Sequence, residues 1–161
     1  MRLRKAVHPL LLEPTYWRNR LRALDLRCSQ LMITPRPDLS GNGKDVVEFR
    51  LRAHDGARLW GLLARPEWFE GDRPARIRSV GPADRPEVDP RASQEGVAEL
   101  VFQEPAGRRL EDRVLDVVRI CHLASTTKGI APDQVSFSCS GDDRAPDEFV
   151  IAEQLFVGKF C

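Results

Sequence analysis

Five consecutive residues, Ser138-Cys139-Ser140-Gly141-Asp142, hold three side chains able to attack an acyl carbon, two hydroxyls and a thiol. A hydroxyl does so only when a base within hydrogen-bond reach takes its proton and N–H donors meet the developing oxyanion. Ahead of it, Val135 and Phe137 alternate with polar residues, so "DQVSFSCSGDD" reads as a short apolar strand running into a tight turn of small residues. Ser140, next to Gly141, is the candidate nucleophile. Cys139 falls on the face of Val135 and Phe137, which suggests burial, and no histidine is placed to lower its pKa.

The missing partner is a base. The chain has three histidines, and only 21 residues, none of them histidine, follow Ser140. His8 precedes the first helix, His54 sits in an Asp-Gly turn, and His122 lies late in a helix. The acidic group Asp142, Asp143, Asp147 and Glu148 could hold a divalent cation through its oxygens. It is more simply read as Asp147 and Glu148 complementing the positive end of the last helix, with Asp142 and Asp143 in solvent. Neither a metal nor a cofactor is required by any motif, and no phosphate-cradling glycine loop occurs.

The totals set outer limits. A chain of 161 residues suits one domain, residues 1–161, with a core of its own. Twenty-five basic residues against 24 acidic ones give a formal charge of +1, no footprint for nucleic acid or an anionic membrane. The stretch "AVHPLLL" is too brief and too interrupted for a signal peptide, so a cytoplasmic setting is expected. Cys28, Cys121, Cys139 and Cys161 are scattered without zinc-ligand spacing, and read as reduced. Trp17, Trp60 and Trp68 read as core or hairpin packing.

These residues must be carried by elements. Tyr16, Trp17, Leu21, Leu24, Cys28 and Leu31 recur at three- and four-residue steps, predicting an amphipathic helix over 14–31. "TPRPDLSGNGKD" reads as a loop. Val47, Phe49 and Leu51 alternate with charges, "HDGA" turns the chain, and "RLWGLLARP" returns, a hairpin. Residues 67–96 are loop-rich, with "ARIRSVG" a short strand and "GPADRPEVDP" a mobile loop. "VAELVFQEP" is a buried strand, Leu110 to Cys121 a helix, "DQVSFSC" a strand and "APDEFVIAEQLFVGKF" a helix. The alternation in the second half predicts parallel strands with crossover helices, about five strands in three layers.

That order resembles the N-terminal half of an α/β-hydrolase, in the branch of acetyl xylan esterases and dipeptidyl-peptidase-like proteins. The charged hairpin "FRLRAHDGARLWGLLARP" and the segment "APDQVSFSCSG" carry the likeness; the latter is similar to the family's D-P-x-R-I-x-x-x-G-x-S-x-G, where a strand delivers a nucleophile elbow. The resemblance spans roughly residues 14 to 157. It implies an elbow at Ser140, with Ser138 and Asp142 standing where the family has glycines that spare the turn a Cβ clash. It implies an oxyanion loop at Val80-Gly81-Pro82, where the family's "HG" is absent and proline offers no N–H. The family's acid and histidine follow the serine, and here no histidine does. The family's strand order would put His54 about four strand spacings, ~19 Å, from the elbow strand.

The reading from sequence is therefore a non-catalytic, pseudo-hydrolase domain with a binding or assembly role. The alternative is a carboxylic-ester hydrolase acting on small acylated substrates through Ser140. A sheet that ends at the elbow strand would expose unpaired backbone, so a homo-oligomer or a protein partner is expected to cover that edge.

Overall fold

In β2 (Lys44–Arg52) and β3 (Arg58–Pro66), apolar residues at alternate positions face one side of a pleated ribbon. The two pair antiparallel over their full length, from Lys44 opposite Pro66 to Arg52 opposite Arg58. A computed structural model describes residues 16–17, 20, 30–53, 55–68, 70–137 and 148–152. Around the hairpin stand β1 (Met32–Pro35), β4 (Arg73–Val80), the short helix α1 (Pro90–Gln94), β5 (Ala98–Gln103), helix α2 (Leu110–Thr126) and β6 (Ile130–Phe137). Residues 148–152 are helical.

The six strands form one sheet in the order β1-β2-β3-β5-β4-β6. β1, β2, β3 and β5 are antiparallel neighbours, whereas β4 is parallel to both β5 and β6. The β5–α2–β6 crossover passes over β4, as parallel pairing requires. One face carries the main core: Phe49, Leu51, Leu59, Leu63, Ile77, Leu100 and Phe102 meet Val114, Val117, Val118 and Cys121 of α2. Phe149 stacks on Phe137 with ring centroids 5.1 Å apart, fixing the last described helix to the β6 end. On the other face a small cluster of Val46, Leu62 and Ala64 lies beside Val88, and α1 packs on β3 and β5. Helices on both faces make the expected three-layer α/β architecture.

Where β3 meets β5, the antiparallel half joins the parallel half, and the approach is close. A Cβ on Gly61 would fall 2.1 Å from the Val101 carbonyl oxygen and 2.8 Å from Phe102 Cα, and the Phe49 ring fills the space above at 2.7 Å. Only glycine fits between two phenylalanines on adjacent strands here.

A second tie is polar. Arg108, its side chain 5% exposed, donates a two-pronged pair to Asp116 in the first half of α2, at 2.7 and 3.0 Å. Its remaining arm donates to Asp55 in the hairpin turn. One guanidinium thus holds the turn against the start of α2.

Several expectations need correction. There are six strands rather than about five: β1 begins just after the presumed helix and runs into the start of the presumed loop, with all four residues exposed. Tyr16, Trp17 and Arg20 are helical, but Gln30 takes a left-handed φ of 69° in a turn, so no helix reaches Leu31. "GPADRPEVDP" is not a free loop. Gln103 donates to the carbonyls of Pro82 and Asp84 at 3.1 and 2.7 Å, Arg78 donates to that of Glu87, and the Asp89 N–H donates to the buried Glu99 at 2.8 Å. Asp89 then caps α1, with Pro90 in its first turn. Trp17 is core and Trp60 half-buried, but Trp68 is 78% exposed.

Gly61→Ala should lower unfolding free energy by at least about 3 kcal/mol, since backbone rather than a movable side chain blocks the methyl group. Asp116→Ala, which strands the buried Arg108, should cost about 3–5 kcal/mol. Urea denaturation checks both, and losses under about 1 kcal/mol would contradict the packing described.

Candidate functional site

The connection leaving β4 runs to α1 on one face of the sheet, and that leaving β5 runs to α2 on the other. Adjacent parallel strands whose connections part in this way open a crevice at their carboxyl ends. Here the crevice is bounded by Val80 and Gly81 on the β4 side and by Gln103 and Glu104 on the β5 side. The Glu104 N–H donates to the Val80 carbonyl at 3.0 Å across its floor.

Gly81 begins a tight turn closed by the Asp84 N–H donating to its carbonyl at 3.0 Å. Pro82 has no N–H, and that of Asp84 is used inside the turn, so an anion here could draw only on Gly81 and Ala83. The Asp84 carboxylate lies over Gly81, with Oδ2 3.1 Å from where a Cβ would stand. A negative charge at that point opposes a developing oxyanion. The turn itself is rigid: Gln103 grips it from β5 and in turn accepts from the Trp60 indole N–H at 2.7 Å.

Deeper in the crevice, burial pushes the Glu104 carboxyl above the usual range, and the hydrogen bond it donates to its neighbour Glu148, together with that residue's charge, pushes the same way. A hydrogen bond with Ser79 and the charge of Arg113 oppose the shift. Glu148 is buried, 3.9 Å from the Arg113 guanidinium. It joins this crevice from the first described residue of the last helix, the element end to which the sequence assigned it. A carboxyl beside a second carboxyl favours its neutral form, which is the direction found for Glu104. Gln103, Glu104 and Asp84 had one signal in the sequence: polar residues directly after apolar strand runs.

Ser140, Ser138, Cys139, Gly141 and the acids Asp142, Asp143 and Asp147 lie outside the described residues, as do His8 and His54. β6 ends at Phe137, paired with Ile77, three residues short of the β4 end at Val80. Ser140 follows Phe137 by three residues, so chain length alone confines it to about 11 Å from that position. His122, the one histidine among the described residues, sits twelve residues along α2 from Leu110. At 1.5 Å per residue that is about 18 Å from the helix start that Arg108 holds at the crevice end. Burial and the charge of Arg119 both lower its pKa. Burial likewise pushes the Cys121 thiol far above its ordinary value, which leaves it unreactive. Among the described residues no group of three or more His, Cys, Asp or Glu could hold a metal ion, and no helix is long and apolar enough to cross a membrane.

No protein-family model and no curated protein matches the chain. Solved structures do. The chain is similar to an acetyl xylan esterase from Paenibacillus sp. R4, with a TM-score of 0.64 at 11% identity over 78% of this chain and 50% of that one. It is similar to acetyl xylan esterase 1 from Thermoanaerobacterium sp. JW/SL YS485, with a TM-score of 0.58 at 14% identity over 76% and 48%. A cold-adapted esterase from an Arctic intertidal metagenomic library gives a TM-score of 0.50 at 14% identity over 61% and 51%. The shared feature is the α/β-hydrolase fold, and this chain spans about half the length of the structures it matches.

The raised Glu104 carboxyl gives a signed pH dependence. The folded protein keeps a proton that the unfolded chain releases above the usual Glu value of 4.5, so stability falls as pH rises through that window. Glu104→Gln, fixed in the neutral form, should melt higher than the parent at about pH 8, the gap closing by about pH 4. Thermal melting across pH tests this, and a gap of constant size would contradict it.

Proposed function

We propose that this chain is the nucleophile-bearing half of a carboxylic-ester hydrolase acting on small acylated substrates. Ser140 attacks the acyl carbon, the Gly81 turn faces the carbonyl oxygen, and the imidazole that takes the serine proton is one other than His122. The observation carrying this reading is the adjacency of β4 and β6: the strand before Ser140 and the strand before Gly81 are parallel neighbours. The esterase identity of the proteins sharing this fold supports it. In such an arrangement the attacking oxygen and the oxyanion donors approach one point from two sides.

A second reading is favoured by two specific observations, the Asp84 carboxylate above Gly81 and the distant His122. In it the domain is a pseudo-hydrolase whose crevice binds rather than cleaves, with the β6 flank covered by a second copy or another protein.

Turnover of p-nitrophenyl acetate separates the two. Under the first reading Ser140→Ala falls by at least about a hundredfold, toward the solution background. Asp84→Asn, which removes charge from the turn, should raise kcat several-fold. Equal rates for the parent and Ser140→Ala would sink the hydrolase reading. A monomer by analytical ultracentrifugation would sink the assembly role in the second.

A further inference from the structure

A cavity of about 590 Å³ lies over β1, β2 and β3, on the far side of the Trp60–Gln103 bond that borders the crevice, and its character is cationic. Arg36, Arg50, Arg52 and Arg58 line it with Glu48 and Trp60. Four guanidinium groups against one carboxylate are out of proportion to a chain with 25 basic and 24 acidic residues.

The four arginines fall into two pairs. Arg36 and Arg50 donate to the two oxygens of Glu48 at 2.9 and 2.7 Å, and Arg36 also donates a two-pronged pair to Asp38 at 2.9 and 2.8 Å. That network forms a built wall. Arg52 and Arg58 stand directly opposite each other on β2 and β3, both exposed. Neither has an acidic partner among the described residues. Like charges at directly opposed positions repel, so the sheet carries a local cost that a bound anion would remove. Two register steps inward, on the same face, Arg50 faces Trp60, whose indole N–H is bonded to Gln103, fixing the ring at the cavity wall.

We propose that this cavity binds a phosphorylated small molecule, its phosphoryl group clamped between Arg52 and Arg58 and its organic part against Trp60. The choice of anion follows from donor geometry. One guanidinium fork saturates a carboxylate, whereas a phosphoryl group offers enough oxygens for forks from two sides. The volume suits a ligand of ordinary metabolite size, and the aromatic ring supplies apolar area. This assignment is independent of ester hydrolysis at the crevice.

Calorimetric titration of the whole chain tests it, using phenyl phosphate, inorganic phosphate and benzoate as probes. Saturable binding of phenyl phosphate is expected, with benzoate at least about tenfold weaker and inorganic phosphate weaker by a smaller factor. The double variant Arg52→Gln, Arg58→Gln should bind at least about thirtyfold more weakly while melting no lower than the parent, since repulsion has been removed. Arg52→Lys with Arg58→Lys, which keeps charge but loses both forks, should also weaken binding, by about fivefold or more. Absence of saturable binding, equal binding of benzoate, or an unaffected double Gln variant would overturn the proposal. So would a mixed-sequence single-stranded oligonucleotide binding more tightly than phenyl phosphate, which would assign the arginines to a nucleic-acid backbone.

Discussion

The contact on which the architecture turns is the approach of Gly61 to the β5 backbone. On one side of it the strands run antiparallel with local connections; on the other they run parallel with long crossovers. Because no side chain intervenes at Gly61, Phe49 and Phe102 close over it and the main core passes unbroken from hairpin to crossover half. A Cβ there would meet the β5 backbone and force β3 and β5 apart locally. The crevice between β4 and β5 inherits its shape from this junction, because Trp60 and Gln103 are register partners one step away.

Polar ties then fix what the core leaves free. Arg108 binds the hairpin turn to α2, and Gln103 binds the Gly81 turn to β5. Glu99, buried on the opposite face, takes an Arg78 guanidinium at 3.2 Å and the Asp89 N–H. Each ties an irregular segment to a regular element, so the loops around the crevice are held without a dense loop core of their own. The crevice is consequently well ordered but acidic, with Asp84, Glu104 and Glu148 about it. That electrostatic setting, more than the turn geometry, is what an acyl-transfer reaction would have to overcome.

Much of this was legible in the sequence. The hairpin announced itself through alternation and an Asp-Gly turn; β5, α2 and β6 did so through apolar runs of the right length and spacing. β1 was invisible because its four residues are all exposed, so no alternation marks it. α1 is five residues long, below what periodicity can detect, and only Asp89-Pro90 hinted at it. The "GPADRPEVDP" segment was misjudged for a general reason: its order comes from Arg78, Glu99 and Gln103, residues far along the chain whose approach no local pattern encodes. The contacts of Glu148 were equally hidden, because its neighbours Glu104 and Arg113 come from other elements. The arrangement around Ser140 lies outside the described residues, so its reading still rests on sequence and chain connectivity.

The two flanks of the sheet are not equivalent. β1 is a four-residue strand closed by Pro35, which has no N–H to offer, followed by Arg36 turned back onto Glu48. Such a border resists lateral growth. β6, eight residues long, presents its outer backbone at the opposite border. Among the described residues the docking ladder is open on that side alone, so a further strand, whatever polypeptide it came from, would extend the sheet in a single direction.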